Sequence, residues 1–297
     1  MLDCVVVGGG PAGLTAAIYL ARFRRAFALI DAGEPRAGLI PLSRNFPGFP
    51  EGISGEALLG RMRAQARRYG APLRDGRAVD LAAIPGGFAL NLSDGERLEA
   101  RTVILATGVK ENEPALPHCA EAVKLGLIRI CPICDGFETV GRRVGVIGAG
   151  AHGADEALFI RTYSDAVALI LVGEPPDETK RRALAEAGVE VVETSIEHVR
   201  LDHGEIRLVQ LQGGEERRFD TLYSAFGVTP QSDLARQAGA ACDEAGRLIA
   251  GDHQETSVPG LFAVGDLVRG LNQIGVAVGE AALAATAIHN RLPRPLA

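Results

Sequence analysis

Short apolar runs that end in glycine alternate with helical patterns along much of the chain. Residues 2–8 read as a buried strand, and the apolar positions from Ala12 to about Arg24 recur with the period of a helix. A second apolar run, residues 27–30, ends at Asp31. A strand, a glycine-rich turn, a helix and a second strand in this order predict a β-α-β unit.

The same pattern returns in the second half of the chain. Residues 143–148 and 167–172 read as strands, and residues 153–163 read as the helix between them. Both copies then continue through short alternating segments into a strand that ends in glycine. These continuations cover residues 77–81, 87–92, 97–100 and 102–108 in the first copy, and 189–194, 198–201, 206–210, 217–219 and 221–227 in the second. The repetition predicts a duplicated nucleotide-binding fold.

The end of the chain completes the first copy. Residues 260–266 read as a strand that ends in Gly-Asp, and a helix rich in small residues follows at about 275–291. The second copy is therefore inserted into the first, and we expect the crossings near residues 111–117 and 241–246. We predict the α/β class, with two Rossmann-like, three-layer nucleotide-binding domains. The predicted domains are residues 1–112 with 242–297, and the inserted residues 113–241.

Composition and charge narrow the possible partners. Apolar residues make up 47% of the chain and charged residues 23%, which is typical of a globular protein. The net charge is −6 and no basic block is present, so we expect no nucleic-acid partner. No apolar run approaches the length of a membrane span and no signal peptide is recognisable, so we expect a cytoplasmic protein without membrane attachment. Five cysteines are too few for a disulfide framework.

The first glycine-rich turn has the spacing of a dinucleotide site. Three glycines at this spacing let the backbone turn tightly, approach a pyrophosphate and pack the helix on the strand. The phosphates would lie at the positive end of the helix. Asp31 follows at the distance where an acid holds a ribose hydroxyl. The residues of the turn that we expect to contact a cofactor are Gly8, Gly10, Pro11, Ala12 and Gly13.

A Cys-x-x-Cys motif, Cys131 to Cys134, lies between the two glycine-rich turns. A dithiol between two dinucleotide sites is the layout of an enzyme that moves electron pairs between a flavin and a disulfide. The thiolate is the reactive form, and Asp135, unless it is only a turn acid, can shuttle the proton. The alternative is a zinc site completed by His118 and Cys119. The cysteine spacing is unlike that of a usual zinc site, so we expect no metal.

Four motifs carry a resemblance to a known family. They are Asn-Phe-Pro-Gly-Phe-Pro-Glu-Gly-Ile-Ser-Gly at 45–55, Ala-Thr-Gly at 106–108, Cys-x-x-Cys-Asp-Gly at 131–136 and Gly-Asp at 265–266. In these motifs, their order and their spacing, the chain resembles the low-molecular-weight thioredoxin reductase family over essentially its whole length. The resemblance implies that the first domain binds FAD. It assigns further FAD contacts to Asn45, Thr107, Gly108, Gly265, Asp266, Asn272, Gln273 and Ile274.

The resemblance also implies roles for the dithiol. Cys134 is the sulfur that faces the flavin, Cys131 attacks the substrate disulfide, and Asp135 is the acid/base. The protein would then be a FAD-dependent thiol-disulfide oxidoreductase and a homodimer. Its partner would be a thioredoxin-like protein or a small-molecule disulfide or dithiol.

The second glycine-rich turn departs from the family pattern. NADPH-dependent members carry His-Arg-Arg at the end of the following strand, where the arginines grip the 2′-phosphate. Residues 171–176 here read Leu-Val-Gly-Glu-Pro-Pro, so the arginines are absent and Glu174 stands in their place. An acid near the ribose favours hydroxyl groups and disfavours NADPH. The possible second nucleotide site consists of Gly148, Gly150, His152, Gly153 and Glu174.

The sequence therefore leaves the source of electrons open. The second site can use NADH or bind NADPH weakly. Electrons can instead come from a ferredoxin-like protein. In a third interpretation the flow is reversed, and the flavin oxidises a small-molecule dithiol and passes electrons to oxygen. A flavin-bound redox sensor without turnover is the non-enzymatic alternative.

Overall fold

The chain divides into two compact units. The computed structural model describes residues 1–114, 116, 119–195, 199–202, 205–209 and 216–295. Unit 1 comprises Met1–Ile40, Ile53–Lys110 and Thr229–Ala297, and unit 2 comprises Pro41–Gly52 and Glu111–Val228. Unit 2 therefore interrupts unit 1, in agreement with an inserted second copy.

Helices and strands alternate through both units. Up to the first crossing the elements are β1 (Leu2–Val7), α1 (Pro11–Arg22), β2 (Phe27–Asp31), α2 (Gly55–Arg68), β3 (Leu73–Asp75), β4 (Ala78–Ile84), β5 (Gly87–Leu92), β6 (Arg97–Leu105) and β7 (Val109–Glu111). The next elements are α3 (Cys119–Lys124), β8 (Ile128–Arg129), α4 (Pro132–Asp135), β9 (Arg143–Gly148), α5 (Gly150–Ile160), β10 (Ala166–Leu171), α6 (Glu178–Glu186), β11 (Glu190–Glu193), β12 (Val199–Asp202), β13 (Glu205–Val209), β14 (Glu216–Phe219), β15 (Thr221–Ala225) and β16 (Val228–Pro230). The chain ends with α7 (Asp233–Gln237), β17 (Leu261–Ala263) and α8 (Ile274–Arg291).

Unit 1 is built on one sheet in the order β3-β2-β1-β6-β5-β4, with β17 also paired to β6. The strands β3, β2, β1, β6 and β17 are parallel, whereas β4, β5 and β6 form an antiparallel meander. Val5 and Val7 lie in one core cluster, and the alternate residues Cys4 and Val6 of the same strand are fully buried. Burial of consecutive residues is expected of a parallel strand, because both faces of such a sheet are covered.

Unit 2 repeats this plan. Five parallel strands follow the order β11-β10-β9-β15-β8, which corresponds to β3-β2-β1-β6-β17 of unit 1. The strands β12, β13 and β14 form a separate antiparallel meander. The prediction of two Rossmann-like α/β folds, the second inserted into the first, is thus confirmed. Among the described residues, no helix has both the length and the apolarity to cross a bilayer.

The return crossing lies earlier than the sequence pattern indicated. We expected it near residues 241–246, whereas unit 1 resumes at Thr229. The reason is α7, because its Leu234 and Ala235 are buried in the core of unit 1. Its last residue, Gln237, accepts a hydrogen bond from a β4 main-chain N–H at 3.1 Å. The helix α7 therefore belongs to unit 1 and not to the inserted domain.

Two smaller differences concern local segments. The segment Pro41–Gly52 is grouped with unit 2, although the sequence analysis placed it in the first domain. One ion pair within unit 2 joins Arg44 Nε of this segment to Glu138 Oε1 at 3.7 Å. The helix α5 begins at Gly150, earlier than the expected start at residue 153. Residues 198 and 210 of the expected strands lie outside the described residues.

A substitution at Gly13 tests how closely α1 packs on the sheet. A Cβ at Gly13 would lie 1.8 Å from the carbonyl oxygen of Gly8, whereas a Cβ at Gly10 would meet no atom within 4 Å. Alanine favours a helix over glycine by about 1 kcal/mol, so propensity alone would make Gly13→Ala stabilising. We expect instead that Gly13→Ala lowers the free energy of unfolding by about 2 kcal/mol or more, because the backbone must move.

Gly10→Ala is the matched control, and it should change the free energy of unfolding by less than about 1 kcal/mol. Urea unfolding followed by circular dichroism measures both variants. An equal or higher midpoint for Gly13→Ala than for the wild type would contradict the close contact.

Candidate active site

The first glycine-rich turn packs β1, α1 and the end of β2 into close contact. Gly8 has a φ of +115°, and a Cβ there would lie 2.2 Å from the Ala106 carbonyl oxygen. A Cβ at Gly9 would lie 1.9 Å from the Asp31 carboxylate. The space beside Gly10, the N-cap of α1, is open. The first N–H groups of a helix lack partners within it, so this open space can receive an anion.

Asp31 ends β2 beside this turn. Its Oδ1 accepts a hydrogen bond from the Gly33 N–H at 2.9 Å, and its Oδ2 accepts one from Arg63 Nη2 at 3.3 Å. Arg63 lies on α2, a helix that the sequence analysis did not identify. The two donors hold the carboxylate where a dinucleotide fold places the ribose.

The Gly-Asp turn after β17 is held by two charged side chains. Gly265 has a φ of +75°, and its N–H donates to Glu280 Oε2 at 2.7 Å. Asp266 Oδ2 accepts from Arg36 Nη1 at 2.9 Å. Burial raises the pKa of Glu280, and the negative charge of Asp266 adds to this rise. The turn is therefore fixed by contacts from both ends of unit 1.

Thr107 and Gly108 follow β6. Gly108 has a φ of +64°. The Thr107 hydroxyl donates to the Gln231 carbonyl oxygen at 2.7 Å, and Gln231 Nε2 donates to the Thr107 carbonyl oxygen at 2.6 Å. These reciprocal bonds join the end of β6 to the start of the returning chain.

The start of α8 contains an unsatisfied buried acceptor. Asn272 Oδ1 is buried and, within the part of the chain that is described, has no hydrogen-bond partner. Gln273 is the N-cap of α8 without a side-chain capping bond, and Ile274 is the first helical residue. A buried acceptor of this kind is costly unless a ligand satisfies it. Together with the open N-terminus of α1 and the fixed Asp31, it makes the residues of unit 1 fit a flavin dinucleotide.

Asn45 is not grouped with these residues. It lies in the segment Pro41–Gly52 of unit 2, and its Oδ1 accepts a hydrogen bond from Ser43 Oγ at 3.2 Å. The structure therefore brings the other expected FAD contacts together in unit 1 and leaves Asn45 outside that unit.

Cys131 and Cys134 form a disulfide, and their Cα atoms lie 5.3 Å apart. Cys131 is the N-cap of the short helix α4, and the Cys134 N–H donates to the Cys131 carbonyl oxygen at 2.9 Å. This single turn brings the two sulfurs together. Cys4, Cys119 and Cys242 are free thiols. The pair expected to be redox-active is therefore the pair that is oxidised.

Asp135 follows Cys134 and has two polar partners. Tyr223 Oη donates to its Oδ1 at 2.7 Å, and Arg129 Nη1 lies 3.1 Å from its Oδ2. Burial raises the pKa of Asp135 above its ordinary value, while the Tyr223 hydrogen bond and the Arg129 charge oppose the rise. A carboxyl group with a raised pKa next to a dithiol is suited to exchange a proton with it.

The second glycine-rich turn repeats the geometry of the first. A Cβ at Gly148 would lie 2.8 Å from the Ala225 carbonyl oxygen, and one at Gly153 would lie 3.1 Å from the Gly148 carbonyl carbon. Gly150 has a φ of +55°, and its N–H donates to the Glu174 carbonyl oxygen at 2.8 Å. The structure thus places Glu174 beside the turn through its main chain.

A half-buried glutamate, Glu156, lies one helical turn beyond His152. Its Oε1 is 3.3 Å from His152 Nε2, and the Glu156 side chain is only 18% exposed. Glu156 Oε2 is buried and has no hydrogen-bond partner among the residues described. Burial, together with the negative charge of Glu111, raises the pKa of Glu156 to about 8. The sequence analysis singled out His152 and missed this glutamate.

No metal-binding group of histidine, cysteine, aspartate and glutamate is found in the described parts of the chain. His118, which would complete the alternative zinc set, lies outside those parts.

The structure adds polar partners that sequence reasoning missed. Arg129 stands two residues before Cys131, so its proximity to the motif could have identified it. Arg63, Tyr223 and Glu280 come from distant elements, and no local signal marks them.

The raised pKa of Glu156 makes the free energy of unfolding depend on pH. Its pKa is about 8 in the folded protein against an ordinary value of 4.5, so the folded state binds more protons between these values. The contribution is fully present below about pH 4.5 and is lost as the pH rises through about 8. We expect the free energy of unfolding to fall over this range by an amount on the order of a few kcal/mol. Glu156→Gln, which is neutral at every pH, should remove most of this loss.

The measurement is urea unfolding at several pH values from about 5 to about 9. Asp155→Asn is the matched control, because Asp155 is 55% exposed and pairs with Lys180. It should keep the wild-type slope. Equal pH slopes for the wild type and Glu156→Gln would contradict the assignment.

Comparison with known proteins agrees with these two units and this dithiol. Residues 2–281 match the family of pyridine nucleotide-disulphide oxidoreductases. The chain is 32% identical over 276 residues to a thioredoxin reductase from Mycolicibacterium smegmatis, with 90% of this chain and 88% of that protein covered.

Two solved structures are also similar over nearly the whole chain. The structure of HlmI has a TM-score of 0.87 and 30% identity, with 97% of this chain and 92% of that one covered. The thioredoxin reductase from Streptococcus pyogenes MGAS5005 has a TM-score of 0.88 and 25% identity, with 98% and 97% covered. The chain therefore belongs to the pyridine nucleotide-disulphide oxidoreductases and, within that family, to the FAD-dependent, thioredoxin reductase-like disulfide oxidoreductases.

Proposed function

We propose that the chain passes electron pairs between FAD in unit 1 and a substrate disulfide through Cys131 and Cys134. The main support for the proposal is the Cys131–Cys134 disulfide, which is followed by a half-buried Asp135 held by two polar partners. FAD, when bound, supplies or accepts the electron pair. The thiol and proton chemistry belongs to the side chains of unit 2.

In the proposed FAD site, the N-terminus of α1 receives the pyrophosphate and Asp31 receives a ribose. Asp266, fixed by Arg36, and the buried acceptor of Asn272 would receive the flavin part. The unsatisfied Asn272 oxygen supports this assignment, since a bound donor would complete it. The family resemblance adds Asn45, Thr107, Gly108, Gln273 and Ile274 to the same site.

The proposed thiol chemistry has three steps: reduction of the internal disulfide, attack on the substrate disulfide, and resolution of the mixed disulfide. An electron pair breaks the Cys131–Cys134 bond and leaves two sulfurs, one of which takes a proton from Asp135. The Cys131 thiolate attacks the substrate disulfide, so that a bond to one substrate sulfur forms and the other substrate sulfur leaves and takes up a proton. Cys134 then gives its proton back to Asp135. Its thiolate attacks Cys131, which restores the disulfide and releases the second substrate sulfur.

Exposed apolar side chains around the dithiol support a protein substrate. Ile133 is 50% exposed, Phe137 75% and Val140 60%. Large apolar side chains that are exposed together are typical of a protein-binding surface. We propose a thioredoxin-like partner, in line with the name of the thioredoxin reductase relatives. On the same resemblance we propose a homodimer in the cytoplasm.

The proposed electron donor for the second glycine-rich turn is NADH rather than NADPH. Glu174 adjoins Gly150 through its main chain, at the point where NADPH-dependent members have arginines. A carboxylate repels a 2′-phosphate and can accept hydrogen bonds from ribose hydroxyls.

The absence of the two arginines after the second glycine-rich turn also favours a second candidate function, a flavin-dependent oxidase of a small dithiol. Such an enzyme passes electrons to oxygen and needs no nicotinamide nucleotide, so the absence of the arginines would not impair its activity. A ferredoxin-linked enzyme shares this independence from nicotinamide.

Cys134→Ser tests the role of the dithiol. We expect the variant to retain FAD and to lose disulfide turnover by at least about a hundredfold, because no second sulfur can resolve the mixed disulfide. The measurement is turnover with a thioredoxin disulfide. Cys242→Ser is the control, since this free thiol is distant in sequence from the pair, and it should keep wild-type turnover. Undiminished turnover in Cys134→Ser would exclude the proposed chemistry.

Anaerobic mixing of the oxidised holoprotein with NADH or NADPH tests the donor. We expect flavin bleaching by NADH to be at least about tenfold faster than by NADPH, because an absent charge-assisted phosphate contact is worth about 1.5–3 kcal/mol. Glu174→Arg should narrow this ratio by making NADPH faster, whereas Glu178→Arg on α6 should not change it. Faster bleaching by NADPH in the wild type would contradict the proposal. Bleaching by neither nucleotide would favour the oxidase or the ferredoxin-linked enzyme.

A further inference from the structure

Asp135 lies at the centre of a polar cluster built from three separate elements of unit 2. Asp135 ends α4, Arg129 ends β8, and Tyr223 lies in the middle of β15. The strands β8 and β15 are parallel neighbours, and Arg129 and Tyr223 are directly paired in their register. Paired residues on neighbouring strands point to the same side of a sheet. The two side chains can therefore reach one carboxylate together.

The two donors take one carboxylate oxygen each. Tyr223 Oη donates to Oδ1 at 2.7 Å, and Arg129 Nη1 lies 3.1 Å from Oδ2. Arg129 Nη1 also donates to the main-chain carbonyl oxygen of Asp135 at 2.9 Å. The carboxyl group and the main chain that carries it are thus both held. A carboxyl group with both oxygens engaged cannot change its orientation without breaking one of these contacts.

Burial of Tyr223 and Arg129 strengthens their polar contacts with Asp135, because little water competes for them. Tyr223 is fully buried, and the Arg129 side chain is only 14% exposed. Burial and the adjacent negative charge of Asp135 raise the pKa of Tyr223, so its hydroxyl stays protonated and donates. Arg129 Nε is buried without a partner among the described residues. Phenylalanine and an apolar residue would fill these sheet positions without the cost of burying polar groups, so packing alone does not account for Tyr223 and Arg129.

We propose that Tyr223 and Arg129 are positioning residues that hold Asp135 in place as the proton donor and acceptor of the Cys131–Cys134 pair. The inference rests on the proposed function, in which Asp135 gives a proton to one cysteine sulfur when the disulfide is reduced and takes it back when the disulfide reforms. Tyrosine can either donate to a carboxylate or accept from a carboxylic acid, so it can follow this exchange. Arginine only donates, so it favours the charged form.

The charges around Asp135 fix the direction of the expected effects. Burial raises its pKa, the Tyr223 hydrogen bond and the Arg129 charge lower it, and the negative charge of Glu138 raises it. Glu138 lies near Arg44, at 3.7 Å. Tyr163, which follows α5, also lies near this region, because its ring comes within 2.7 Å of the position that a Cβ of Gly136 would occupy. Loss of either donor therefore raises the pKa of Asp135 further.

Alkylation of the reduced holoprotein tests the inference. The disulfide is reduced with dithiothreitol under anaerobic conditions, and the rates of iodoacetamide alkylation of Cys131 and Cys134 are followed by mass spectrometry across a range of pH. Only thiolates react, so the ionisation of Asp135 next to them adds an inflection to the rate profile. Asp135→Asn identifies this inflection by removing it.

We expect Tyr223→Phe to move that inflection up by about one pH unit, the equivalent of one hydrogen bond to a charged group. Arg129→Met should also raise the pH of the inflection. In Arg129→Lys the inflection should lie between those of Arg129→Met and the wild type. Tyr163→Phe is the matched control and should leave the profile unchanged. Arg129→Met and Arg129→Lys are tested alongside Tyr223→Phe, so the result does not depend on one buried variant folding.

A Tyr223→Phe or Arg129→Met profile that superimposes on the wild type would overturn the inference, as would an Asp135→Asn profile that keeps the inflection. The disulfide is reduced chemically, so the experiment needs neither electron transfer from the flavin nor a protein substrate disulfide. Its failure is therefore distinguishable from failure of the proposed function, which the turnover of Cys134→Ser decides.

Discussion

The fold depends on the close approach of a helix to the carbonyl group that ends the strand before it. In unit 1 a Cβ at Gly13 would lie 1.8 Å from the Gly8 oxygen, and in unit 2 a Cβ at Gly153 would lie 3.1 Å from the Gly148 carbonyl carbon. A side chain is incompatible with the approach at Gly13 and is crowded at Gly153, and this approach brings the start of the helix to the edge of a parallel sheet. The geometry of both glycine-rich turns therefore depends on the absence of side chains at these glycines.

The chemistry depends on a different constraint, the burial of charged groups in unit 2. The dithiol occupies a single turn, which by itself offers the sulfurs no proton source. In the proposed mechanism Asp135 is that source, since burial raises its pKa and Tyr223 and Arg129 contact both of its carboxylate oxygens. The exposed Ile133 and Phe137 adjoin the same turn, so the reactive group and an apolar surface occur together. A sheet that is buried on both faces supplies the rigid support for this arrangement.

Much of the fold could be predicted from the sequence, because its signals are local. Consecutive apolar residues marked the parallel strands, and glycine spacing marked both turns. The return crossing was misplaced because α7 is short and belongs to unit 1 through the burial of Leu234 and Ala235 and the hydrogen bond of Gln237 with β4, which no local pattern reveals. The partners of the site were missed for the same reason, since Tyr223 lies 88 residues from Asp135. The raised pKa of Glu156 depends on its burial and on Glu111, neither of which a sequence displays.

The central claim is that one chain stores electron pairs in two places, a flavin and the Cys131–Cys134 disulfide. The most direct measurement is an anaerobic reductive titration of the purified holoprotein with dithionite, followed by flavin absorbance and by the count of new thiols. The account predicts uptake of two electron pairs for each flavin, and the appearance of two additional thiols. A preparation that carries no flavin, or one that accepts only a single electron pair and gains no thiols, would contradict it.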